Sequence, residues 1–105
     1  MTLENLGQFL GAYFHQDWTL ESADAEGVLR RFAAEESPAA VRQVCDEIGL
    51  LLSRGLGDEG LSRVIHGELG SYYDPAADGL TAGEWLRHVE AFLREQVDGK
   101  RDTQG

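Results

Sequence analysis

Apolar positions along the chain recur at helical spacing. In the segment from Ser37 to Arg54, Val41, Val44, Cys45, Ile48, Leu51 and Leu52 fall at offsets 0, +3, +4, +7, +10 and +11. That series is one stripe of an α-helix. Ser37 suits the N-cap and Pro38 the first turn, where a missing N–H costs nothing. Gly55 suits the stop. A second strong stripe, Trp85, Leu86, Val89, Phe92, Leu93 and Val97, follows Thr81-Ala-Gly-Glu84. That tetrapeptide has the form of a capping box, in which hydroxyl and carboxylate satisfy each other's backbone N–H groups.

Three weaker helices are expected. Leu3–Phe14 carries Leu3, Leu6, Phe9, Leu10, Tyr13 and Phe14 at helical spacing, weakened by Gly7 and Gly11. Asp24–Glu36 has Ala25, Val28, Leu29 and Phe32 on one face, and Asp58–Leu69 has Leu61, Val64, Ile65 and Leu69 with Asp58 as the expected cap. No segment alternates with period two, so strands are not expected. Two connections remain, His15–Glu21 and the longer Gly70–Leu80, broken by Gly70, Pro75 and Gly79. Helical bundles connect with about two to eight residues, so the second is long enough to have a function of its own. The fold class expected is all-α: one small domain, residues 1–97, of about five helices in an irregular bundle, with a polar, frayed tail at 98–105.

Composition narrows the function. The chain has 105 residues, one domain's worth, with 9 basic against 19 acidic residues and a formal charge of −10. Nucleic-acid binding runs on Lys and Arg neutralising phosphates, so no nucleic-acid partner is expected. A basic protein partner suits the charge instead. The longest apolar run, Ile48–Leu52, includes Gly49 and is far short of the ~18 residues a membrane span needs. No basic segment opens the chain, so no signal peptide is expected. A single cysteine, Cys45, excludes an internal disulfide. The expected location is the cytoplasm.

Motifs that mimic chemistry do not survive inspection. Gly55-Leu-Gly57-Asp-Glu-Gly60 has the spacing of a dinucleotide fingerprint, but it follows a helix rather than a strand and puts Asp58 and Glu59 against the phosphates. Asp74–Gly79 starts like a calcium loop, yet Ala76 and Trp85 occupy ligand positions 3 and 12. His15, His66 and His88 lack the spacing that puts two imidazoles on one helical face. Cys45 lies on an apolar stripe, where a thiol is packing rather than a nucleophile. The pairs Glu35-Glu36, Asp46-Glu47 and Asp58-Glu59 are sequence neighbours, and neighbours on a helix do not face each other. They read as an acidic surface. No catalytic set, cofactor site or metal site is expected.

Most aromatic residues stand at stripe positions, and Phe9, Phe32, Trp85 and Phe92 are expected in the core. Tyr72 and Tyr73 are adjacent in the long connection, so only one turns inward easily. The other is a candidate interface anchor, unless both pin the loop to the domain.

The stretch LGQFLGAYFHQDW, residues 6–18, together with Gly70-Ser71-Tyr72-Tyr73-Asp74-Pro75, Asp78-Gly79-Leu80-Thr81 and Trp85-Leu86, resembles the signatures of a family of contact-dependent growth inhibition immunity proteins. The resemblance spans about residue 3 to residue 95. It departs at Ala12, where glycine is common, a change that stiffens the helix slightly. The resemblance implies a small helical cytoplasmic protein that binds and blocks the C-terminal domain of a neighbouring toxin, often a nuclease. Tyr13, Phe14, Asp17, Trp18, Tyr73, Asp78, Gly79 and Trp85 match the signature positions, and the resemblance implies structural roles for them. Asp17 has two candidate roles, capping the second helical region or bonding to the Tyr73–Gly79 loop. Partner binding is expected of Tyr72, Asp74, Glu35, Glu36, Asp46, Glu47, Asp58 and Glu59.

The reading is an immunity protein that occludes a basic nuclease toxin through charge complementarity. Two rivals are an acidic adaptor or homodimerising module with no toxin partner, and a small metal hydrolase using His15 and Asp17. Self-association in sedimentation distinguishes the first, stoichiometric metal the second.

Overall fold

A computed structural model describes the backbone of residues 3–104 and the side chains of residues 3–98. Among the described residues there are six α-helices: α1 (Glu4–Tyr13), α2 (Trp18–Glu21), α3 (Ala25–Glu35), α4 (Pro38–Leu52), α5 (Gly57–Arg63) and α6 (Ala82–Gln104). A π-helical turn, Val64–Glu68, follows α5, and a 3₁₀ turn, Pro75–Asp78, lies in the long connection. No strand occurs among the described residues. The helix α6 is the hub: α3, α4 and α5 pack against it, and α1 lies on α4.

The strong sequence signals hold. Ser37 Oγ accepts from Ala40 N at 3.2 Å and caps α4. The box at α6 closes both ways, with Thr81 N donating to Glu84 Oε1 at 2.9 Å and Glu84 N to Thr81 Oγ1 at 3.1 Å. Asp24 caps α3 through Gly27 N at 2.8 Å. The stripes on α4 and α6 form the core, with Cys45, Ile48, Leu51, Leu86 and Leu93 fully buried. Burial pushes the Cys45 thiol up to about 11, in keeping with a packing role.

Four details differ from the sequence pattern. The expected connection His15–Glu21 contains α2. The expected single helix Asp58–Leu69 switches to the wider π turn at Val64, closed by Leu69 N to Val64 O at 2.9 Å. Asp58 does not cap its own helix, whose N-cap is Leu56. Its Oδ1 accepts from Gly83 N at 3.3 Å and so serves the start of α6. A Cβ at Gly83 would lie 2.9 Å from Asp58 Oδ1, so a larger residue there would make that carboxylate shift. The helix α6 also continues past Val97 into the tail at 98–105, as far as Gln104. The side chains of residues 99–104, and all of Gly105, lie outside the described residues.

Candidate interaction surface

The two signature stretches meet in one aromatic cluster. Phe14, at the end of α1, is fully buried, with Trp18, Tyr73 and Trp85 around it at ring-centre distances of 5.6, 5.5 and 5.4 Å. Tyr73 and Trp85 are 4.9 Å apart, and Trp18 stands edge-on to Tyr73 at 5.5 Å. These spacings favour aromatic contact. The cluster fastens α1, α2, the long connection and α6 together, which is a structural role for Phe14, Trp18, Tyr73 and Trp85.

Tyr73 is 3% exposed and its hydroxyl donates to Asp78 Oδ2 at 2.6 Å. Gly79 then ends the 3₁₀ turn at φ 76°, the left-handed conformation that glycine adopts without strain. Burial, then the bond to Asp78, raises the Tyr73 pKa above the ordinary tyrosine range. A raised folded-state pKa means stability present below pH ~10 and lost as pH rises through the folded value. Tyr73→Phe is expected to lose about 1–2 kcal/mol at neutral pH. It should also lose less additional stability than the wild type between about pH 9 and 11. Urea unfolding across that range checks both; parallel pH profiles would refute the assignment.

Tyr13 plays its part at another edge. Its hydroxyl donates to Glu35 Oε1 at 2.8 Å, with Glu36 Oε2 at 3.2 Å, and the Arg31 guanidinium lies 5.0 Å from its ring centre. Arg31 also pairs with Glu21 at 3.1 Å. Hydrogen bonds from His15 and Arg31 hold Glu21 below the usual carboxylate range.

The candidate binding residues are spread over the end of α3, α4, α5 and the long connection. Glu35 and Glu36 are exposed beside Tyr13. Asp46 pairs with Arg94 across α4 and α6 at 3.3 Å. Glu59 stands in solvent on α5, near Arg63. Asp74 is exposed and caps the 3₁₀ turn through Ala76 N at 3.0 Å. Glu47 requires a correction. It is 5% exposed, and its carboxylate accepts from Leu6 N at 2.8 Å and Asn5 Nδ2 at 2.7 Å. The start of α1 has no local side-chain cap, since Leu3 holds the N-cap position. Glu47 supplies that cap from α4 and is withdrawn from the surface.

The adjacent tyrosines divide. Tyr73 turns inward and Tyr72 outward, 63% exposed. Leu20 on α2, which no sequence stripe singled out, is 83% exposed. Its only sequence signal is an apolar residue inside the polar run Thr19–Ser22. Asp17 fills neither expected role. It occupies the α2 N-cap position without a side-chain cap bond. Its carboxylate has no hydrogen bond or ion pair among the described residues.

Among the described residues no group of three His, Cys, Asp or Glu side chains is placed to hold a metal ion. A groove of about 290 Å³ between α3, the long connection and α6 is lined by Glu26, Tyr73, Asp78, Trp85 and His88. Its walls are acidic and aromatic. No helix among the described residues is long and apolar enough to cross a membrane.

None of the curated proteins matches the chain. Among solved structures, it is similar to a chain in the crystal structure of the CdiA-CT/CdiI complex from Y. kristensenii 33638. The TM-score is 0.83 at 26% identity, over 87% of this chain and 97% of that one. The model of the family described as CdiI immunity protein matches residues 2–93, which include the whole aromatic cluster and both signature stretches. The chain therefore belongs to the CdiI immunity protein family.

Proposed function

We propose that this protein binds and neutralises the CdiA-CT toxin domain encoded beside its gene. The family match over residues 2–93 carries the reading, and the likeness to a chain of a CdiA-CT/CdiI complex supports it. The protein acts in the cytoplasm by occupying the toxin, with no catalysis and no cofactor of its own. A charge of −10 fits a positively charged target, and a nuclease that handles phosphates is the toxin class with such a cleft. The inhibitor covers that cleft with an interface of about 1,600 Å² in total.

Calorimetric titration into the neighbour-encoded toxin domain at about 50 and 500 mM salt tests the proposal, because long-range charge attraction is screened over that range. Nanomolar binding that weakens with salt is the expected outcome. Tight binding indifferent to salt removes the electrostatic mechanism. Absence of binding removes the immunity role for that toxin and favours the adaptor reading.

A further inference from the structure

The corner where α2 meets the start of the long connection is built to present an anchor. Tyr72 extends its side chain into solvent from a tightly held backbone. Its own N–H donates to Phe14 O at 2.8 Å, and Ser71 N donates to Ile65 O at 2.8 Å. The His66 ring bonds Ser71 O through Nδ1 at 2.9 Å. Buried Ser71 Oγ bridges to the backbone N and O of Tyr73, each at 3.3 Å. The next ring, Tyr73, is locked in the aromatic cluster. The π turn contributes Ile65 and His66 to this clamp, which gives that irregular element a purpose. An exposed ring on a fixed backbone loses little entropy when it docks.

Leu20 stands on α2, which the ring of Trp18 ties to Tyr73, the residue after Tyr72. Trp18 on α2 points inward onto Tyr73 and Phe14, while Leu20, two residues later, points out. Tyr72 and Leu20 are two of the three large apolar side chains exposed among the described residues; the third, Leu56, is 42% exposed at the turn before α5. Three exposed carboxylates stand on the two segments that make this corner. The Asp17 carboxylate is exposed and makes no hydrogen bond or ion pair among the described residues, Asp74 is exposed, and Glu21 is half exposed. Arg31, the cation paired with Glu21, is also engaged by Glu35. An apolar centre with an acidic rim fits a basic protein surface that offers a pocket for an aromatic ring.

We infer that this corner, with Tyr72 and Leu20 as anchors and Asp17 and Asp74 as the charged rim, is the face that docks the basic toxin domain. The inference rests on the proposed immunity function and names its contact surface. The ring fills an apolar pocket, and the rim carboxylates meet Lys or Arg side chains beside it. The acidic pairs elsewhere on the surface contribute through the long-range field.

The test uses the full-length protein and the toxin domain encoded beside its gene. Tyr72→Ala and Leu20→Ala should each weaken binding at least about thirty-fold, the loss typical of a central anchor. Leu56→Ala should stay within about threefold of wild type, as a site outside an interface does. Asp17→Lys should weaken binding and flatten its salt dependence. Unchanged circular dichroism and melting confirm that each variant is folded. Hydrogen exchange on the unmutated complex gives a second readout, with protection expected at residues 15–22 and 71–78. Wild-type binding with both alanine variants within threefold, or protection confined to other segments, overturns this face and leaves the immunity function standing. Failure of the wild-type protein to bind overturns the function and this face with it.

Discussion

Phe14→Ala should lower stability by about 3–5 kcal/mol, the cost of emptying a fully buried aromatic site. Phe14 is 0% exposed and touches Phe9, Trp18, Tyr73 and Trp85, so its ring is the shared neighbour of four others. Removing it leaves a void that those rings, fixed on four different segments, cannot all close. For a domain of about 100 residues, each kcal/mol moves the melting temperature by roughly 4–8 °C. A fall of at least about 12 °C is therefore expected, with loss of near-ultraviolet circular dichroism from the tryptophans. Phe14→Leu keeps much of the volume and should cost less than about 2 kcal/mol. An alanine variant that melts within about 4 °C of wild type would show that the cluster is not the clasp of the fold.

Glu47→Ala is expected to cost about 2–4 kcal/mol, although a glutamate on a helix ordinarily tolerates such a change. Here the lost carboxylate abandons Leu6 N–H and the Asn5 amide in a buried position. It also removes a negative charge from the positive end of α1, which has no other side-chain cap. Glu47→Gln should recover part of the loss, because its carbonyl can still accept one bond. Its amide can serve Asn5 once that side chain flips. Urea midpoints for the three proteins check the order wild type, Gln, Ala. A midpoint for Glu47→Ala equal to wild type would return Glu47 to the acidic surface.

These two residues also mark what the sequence could reveal. Phe14 sits on a stripe and inside a signature stretch, so a structural role was legible, but its place at the centre of the ring cluster was not. The role of Glu47 was not legible, because it belongs to an acidic pair, Asp46-Glu47, whose members look alike. Asp46 does face solvent and Arg94. The difference arises because Glu47 faces the start of α1, 41 residues away along the chain. Asp58 behaves similarly, serving the first turn of α6 rather than its own helix.

What the sequence determined by itself is local in origin. The stripes of α4 and α6, the Ser37 cap and the Thr81–Glu84 box depend on residues within four positions of one another, and they stand as read. The acidic balance is a property of composition alone and needs no fold. The tertiary structure decided which of Tyr72 and Tyr73 is buried, that α2 and the π turn interrupt the simple pattern, and that Leu20 and Asp17 face outward together. Those choices turn on which donor, ring or cavity a distant segment brings near. Periodicity cannot encode that, because both alternatives preserve the same local spacing and differ only in what packs against them.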